Sequence, residues 1–136
     1  MKKMSIALLL CLMALISACG QGKTEDLFRY EHSFVGDNNA VSQIIKHLPE
    51  GQTVEQIELH TIEQPYGITL YVADDFTEED FNVLAAYLLK LVDNCEWIAA
   101  ESSTFTEKIV RDKELTEKLH DIETDDELRA YLNNLK

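Results

Sequence analysis

One stretch constrains the fold more than any other, and it runs from Thr77 to Cys95. Thr77 is a good helix N-cap, and Asp80 three residues on approximates a capping box with Asp in place of Glu. Phe81, Leu84, Ala85, Leu88, Leu91, Val92 and Cys95 then recur at helical spacing, which predicts one continuous apolar stripe. A stripe this long is satisfied only against other apolar elements, so the chain must build a core around it. Cys95, placed on that stripe, reads as a buried small hydrophobe, with a reactive leftover thiol as the alternative.

The neighbouring patterns supply the partners. Val41, Ile44, Ile45 and Leu48 follow the i, i+3, i+4, i+7 spacing of a helix face. Asp37 and Asn38 are its candidate N-caps, Gly36 supplies a turn, and Pro49 and Gly51 stop it. Two period-two runs follow. In Val54 to Ile62, Ile57 and Leu59 alternate with Glu58 and His60. In Tyr66 to Ala73, Tyr66, Ile68, Leu70 and Val72 oppose Thr69 and Tyr71. Glu63-Gln64-Pro65 would connect them as a hairpin.

Beyond Cys95, residues 96–102 read as a strand containing Trp97, Ile98 and Ala99. Residues 104–111 read either as its partner strand or as the start of a helix. Asp112 caps a short helix holding Leu115 and Leu119. Thr124 with Glu127 fits another capping box, before an apolar face of Leu128, Tyr131, Leu132 and Leu135. The expected fold is α+β in the order αββαββαα, a mostly antiparallel sheet of about four strands with helices packed on it.

The first twenty residues carry a different message. Lys2 and Lys3 precede an apolar run from Ile6 to Ile16, too short for a spanning helix of about 20 apolar residues. Basic start, short apolar core and small residues before a cut describe a secretory signal. Ile16-Ser17-Ala18-Cys19 resembles the bacterial lipobox, with cleavage between Ala18 and Cys19 and a diacylglyceryl group on the Cys19 thiol. The expected organisation is a lipoprotein signal peptide at 1–18, a lipidated tether at 19–29 and a globular domain at 30–136. Ten tether residues reach at most about 35 Å, so the domain would sit close to the bilayer. Gly20 after the cysteine is not an acidic retention mark.

Loss of the signal removes two lysines and no acids, which takes the formal net charge from −13 to −15. That balance argues against nucleic acid, which rewards Lys and Arg, and against lying flat on anionic lipid. The remaining 118 residues suffice for one compact domain. With Cys19 acylated and Cys11 cleaved away, Cys95 has no partner for an internal disulfide.

Catalytic signals are thin. His32, His47, His60 and His120 form no i, i+4 pair and no metal-ligand motif, and such isolated histidines are more often surface or boundary residues. No nucleophile elbow, phosphate loop or Cys-x-x-Cys pair is present. Asp74, Asp75, Glu78 and Glu79 are weak candidates for a divalent cation, but acids in a first helical turn are more simply explained by the helix dipole. Gly36-Asp37-Asn38-Asn39 is a possible ligand turn, and more simply the entry to a helix. No cofactor is expected.

A resemblance rests on Phe34-Val35-Gly36-Asp37-Asn38-Asn39-Ala40-Val41, Ile44-Ile45, Leu48-Pro49, Glu58-Leu59 and Gln64-Pro65-Tyr66-Gly67-Ile68-Thr69. In order and spacing these resemble domain-of-unknown-function family 4825 over about residues 28–100. The resemblance implies a lipoprotein or membrane-anchored protein of a low-GC Gram-positive bacterium. It carries over no catalytic residue, and it ends near residue 101.

The expected function is a non-enzymatic binding or regulatory module at the outer face of the membrane, held by acylated Cys19 and open to a protein partner through Tyr30, Phe34, Tyr66 and Tyr71. The alternatives are a small envelope hydrolase using Asp37 with His60 or Glu58, and a divalent-cation sensor.

Overall fold

The computed structural model describes residues 26–135. The segment expected to be a signal peptide, with Ala18 and Cys19, and most of the expected tether lie outside the described residues. The order is α1 (Asn38–His47), β1 (Val54–His60), β2 (Gly67–Val72), α2 (Glu78–Leu91), β3 (Trp97–Glu101), β4 (Thr106–Val110), α3 (Lys113–His120) and α4 (Asp125–Asn133), with short 3-10 turns at Leu27–Tyr30 and Pro49–Thr53. This is the expected αββαββαα succession. Among the described residues no helix is long and apolar enough to cross a membrane.

The sheet runs β1-β2-β3-β4. Its outer pairs are antiparallel, and the central pair, β2 with β3, is parallel. Parallel neighbours need a crossover, and α2 supplies it. Alternation sorts the two faces. Ile57, Leu59, Ile68, Leu70, Ile98 and Ala100 point into the core, where α1 and α2 pack. Their strand neighbours Glu58, His60, Thr69, Tyr71, Trp97, Ala99 and Lys108 share the opposite face.

Caps form as the sequence indicates. Asp37 accepts from the Ala40 amide at 3.0 Å. Thr77 and Asp80 bond reciprocally, Asp80 N to Thr77 Oγ1 at 3.1 Å and Thr77 N to Asp80 Oδ2 at 3.0 Å. Asp112 and Thr124 accept at their helices too. The Glu127 carboxylate accepts from Glu123 rather than from the cap residue, so that box is offset by one.

Five expectations need correction. Leu27 is 3% exposed and Asp26 caps its 3-10 turn, so residues 26–29 belong to the folded domain rather than to the stretch expected as a tether. Helix α2 ends at Leu91, because Ser33 bridges to Val92 and draws the chain away. Cys95 is therefore buried in the turn after the helix, where its thiol donates to the Trp97 carbonyl. Strand β1 stops at His60, which leaves Ile62 exposed. Leu135 falls past the end of α4 and is exposed instead of joining its apolar face.

The last is that α2 buries more than a stripe. Val83, Ala86, Tyr87 and Leu89 are buried along with the predicted residues, because α3 and α4 pack against α2 as well. A helix apolar on most sides is one with neighbours on most sides. The open choice at 104–111 resolves as strand. The Ser102 hydroxyl accepts from the Thr104 and Phe105 amides at 3.2 and 3.1 Å, which fixes a tight turn and returns the chain along β3.

Candidate functional site

The sheet face without helices carries the densest mixed cluster of polar and aromatic side chains. On β1, period two puts Glu58 and His60 on this face. Register places Glu58 opposite Thr69, and His60 opposite Gly67, which in turn pairs with Trp97. His60 Nε2 lies 3.0 Å from the Thr69 hydroxyl and 3.9 Å from Glu58 Oε1. Tyr71 donates to Glu58 Oε2 at 2.6 Å. That hydrogen bond, then burial, then the charges of Glu58 and Glu101 raise the Tyr71 phenol above its ordinary range.

Trp97 completes the cluster. A Cβ on Gly67 would lie 2.1 Å from the indole, so the ring lies across the glycine backbone. Its Nε1 donates to the Pro65 carbonyl at 2.9 Å, after a cis Gln64–Pro65 peptide. Lys108 Nζ sits 4.3 Å from the indole centroid, and the His60 ring 4.8 Å away. The face is therefore a fixed relief of rings with a cation held over the indole.

Asp37 does not join Glu58 and His60. It heads α1, in the layer on the other side of the sheet, and its carboxylate is occupied in capping. Gly36, Asn38 and Asn39 stay at the entry to α1, where Asn38 Oδ1 accepts from the Ser42 hydroxyl at 3.3 Å. Asp74 accepts from Ser103 at 2.7 Å. Glu78 and Glu79 instead line a cleft of about 420 Å³ with Glu50, Val83, Arg129 and Leu132. Among the described residues, no three His, Cys, Asp or Glu side chains converge to hold a metal.

In that cleft Arg129 donates to Glu50 at 3.1 Å and lies 5.3 Å from the Tyr87 ring centroid. Partial burial opposes its charge, but Tyr87 and Glu50 outweigh this and raise its pKa. Burial, then the hydrogen bond to Asp125, raises the Tyr87 phenol. These contacts tie α4 and the Pro49–Thr53 turn to α2.

The four rings expected to share a face are spread out. Tyr71 is on the open sheet face. Tyr66 borders the hairpin, and Tyr30 and Phe34 belong to the segment beside the end of α2. The sequence names Thr69 and Trp97 only as strand residues and does not bring Lys108 forward at all. Only their strand parity pointed to a common face, and that needs the register of β3 against β2 and β4.

Neither a curated protein nor a solved structure matches the chain. The profile of the domain of unknown function DUF4825 matches residues 27–113, more than half of the chain and all of it from the first 3-10 turn through β4. The match begins where the fold begins and leaves out most of α3 and all of α4. On that match the protein belongs to the DUF4825 family.

Proposed function

We propose that the protein is a lipid-anchored, non-enzymatic binding module at the outer face of the cell membrane, and that a protein partner docks on the open sheet face. The lipobox ending at Cys19 supports the anchor. The observation that carries the binding role is the face formed by His60, Tyr71, Trp97 and Lys108, left bare because α1 and α2 pack on the other side. Trp and Tyr are enriched at protein interfaces, where large rigid rings give contact area at low entropic cost. The hydrolase reading loses support because Asp37 is separated from Glu58 and His60 by the sheet.

Two measurements test this. Labelling with palmitate should mark the wild-type chain and not Cys19→Ala, and only the former should remain with membranes. A pull-down from intact cells should recover a partner with wild type and lose it with Lys108→Glu. Equal recovery of every protein by wild type and Lys108→Glu would remove the open face from the reading.

A further inference from the structure

We infer that the end of the domain where the chain enters rests on the bilayer, with Phe34, Ile62 and Val110 reaching into the lipid interface. The inference rests on the anchored reading above and gives it an orientation.

The topology collects these residues at one end. The chain enters beside the last turn of α2, where Lys90 pairs with Glu31 at 2.8 Å. Ser33 bridges to Val92 just beyond that helix, which places Phe34 there. A few residues lead from α2 to the start of β3. At that level Gly67, Trp97 and Val110 are register partners, and Glu96 N donates to the Tyr66 carbonyl. The hairpin that holds Ile62 closes at the same level.

Among the described residues four large hydrophobic side chains are exposed: Phe34 at 58%, Ile62 at 95%, Val110 at 59% and Leu135 at 62%. Single exposed hydrophobics are ordinary on a soluble surface. Three of four at the end nearest the anchor need a reason. Half-buried Tyr66 accompanies them, a residue type that favours the boundary between water and lipid. Six residues lie between Cys19 and Asp26, so the seven steps of chain span at most about 25 Å and keep this end near the surface.

Charge orients the molecule the same way. Residues 47–89 contain no Lys or Arg, and Asp74, Asp75, Glu78 and Glu79 stand at the far end beside the Glu50–Arg129 pair. Anionic headgroups repel that end, and beyond a Debye length of about 8–10 Å the repulsion fades, so the acidic end is best placed outward. At the entry end Lys90 pairs with Glu31 at 2.8 Å, and His32 Nδ1 lies 3.1 Å from Asp93. Glu63 and Glu96 also stand there, so the contact is made by apolar side chains entering the interface rather than by pairing with anionic headgroups.

The test uses the full, lipidated chain in phosphatidylcholine vesicles, with single cysteines introduced as Phe34→Cys, Ile62→Cys and Asp75→Cys and labelled with an environment-sensitive fluorophore. Native Cys95 is fully buried and Cys19 is acylated, so neither competes for label. Labels at 34 and 62 should shift to the blue and be quenched about two-fold or more by nitroxide lipid, since interfacial side chains sit about 5–10 Å into the boundary. The label at 75 should do neither. If all three behave alike while the protein floats with the vesicles, the orientation is overturned and the anchor stands. If wild type fails to float, the anchor falls and the orientation falls with it.

Discussion

The two ends of α2 are finished in opposite ways. At the start, Thr77 and Asp80 bond each other's amides across three residues. At the finish, one distant side chain does the work. Arg111, just past β4, donates to the Cys95 carbonyl at 2.8 Å, to the Val92 carbonyl at 3.3 Å and to the Leu89 carbonyl. The chemistry follows from peptide direction, because free amides want acceptors and free carbonyls want donors. Since α2 crosses from one end of the sheet to the other, the contrast becomes a property of the molecule. Acids gather at the Thr77 end and donors at the other. The polarity that orients the proposed membrane contact thus begins as the termination of one helix.

Breaking the finish should have the largest effect. Arg111→Ala takes a donor from three carbonyls, of which Val92 keeps the Cys95 amide at 3.2 Å, at a cost of about 3 kcal/mol, read as a fall in the urea midpoint. Arg111→Lys keeps the charge without the fork and should recover only part. The same variant reports on Cys95. Burial pushes that thiol up to about 12, and the Arg111 charge works against the rise. A thiol whose pKa is higher in the folded state favours folding fully below its unfolded value, and the contribution is lost as pH climbs toward 12. Native Cys95 should therefore stay inert to thiol reagents at pH 8, and react faster in Arg111→Ala as the turn loosens. A midpoint within error of wild type would show that the two ends do not differ as described.

Two glycines sharpen the comparison next. A Cβ on Gly51, in the turn packed on α1 and α2 at the acidic end, would sit 1.9 Å from the Ile45 carbonyl oxygen. Backbone must move, so Gly51→Ala should cost about 2–3 kcal/mol. A Cβ on Gly67, at the entry end, meets the Trp97 ring instead. A ring can swing out over the open face, so Gly67→Ala should cost about 1–2 kcal/mol and shift the emission of the chain's one tryptophan. A larger loss at Gly67 than at Gly51 would reverse that order.

Legibility in the sequence follows the same division between local and distant. The capping residues Asp37, Thr77, Asp112 and Thr124 each bond within their own first turn, and all four were readable from spacing. The succession of elements was readable because period two and period 3.6 are also local. The parallel pairing of β2 with β3 was not, since register across a crossover has no short-range signature. Neither was the burial of Tyr87 and Leu89, which depends on α3 and α4 returning to α2. The open-face cluster was half legible. Glu58 and His60 stood out as alternating polar residues, whereas Trp97 and Lys108 join them only through pairing. Arg111 carried no sequence signal at all, because an arginine after a strand looks like any surface arginine.

Weakening the local cap should cost less than removing the distant one. Thr77→Ala deletes the acceptor for the Asp80 amide and leaves Asp80 one partner short, at about 1 kcal/mol. Thr77→Ser restores the hydroxyl and should restore most of the midpoint. If Thr77→Ala cost as much as Arg111→Ala, the start and finish of α2 would be equally dependent on a single residue.

The smallest effect is expected at Gly36, and it isolates what the turn before α1 needs. The sequence assigns this glycine a turn. Yet no glycine among the described residues has a positive φ, and a Cβ on Gly36 would meet nothing within 4 Å. The turn is held by other means. Asp37 N donates to the Phe34 carbonyl at 2.9 Å, and the Asp37 carboxylate caps the helix. Gly36→Ala therefore keeps every contact and restricts the unfolded chain, which by itself stabilises by about 0.4–1 kcal/mol. The melting temperature should stay level or rise slightly, and the contrast with Gly51→Ala should exceed the effect of either cap variant at Thr77. A loss above about 1 kcal/mol would mean that the turn depends on glycine's conformational freedom after all, and that the entry end is less firmly built than its hydrogen bonds imply.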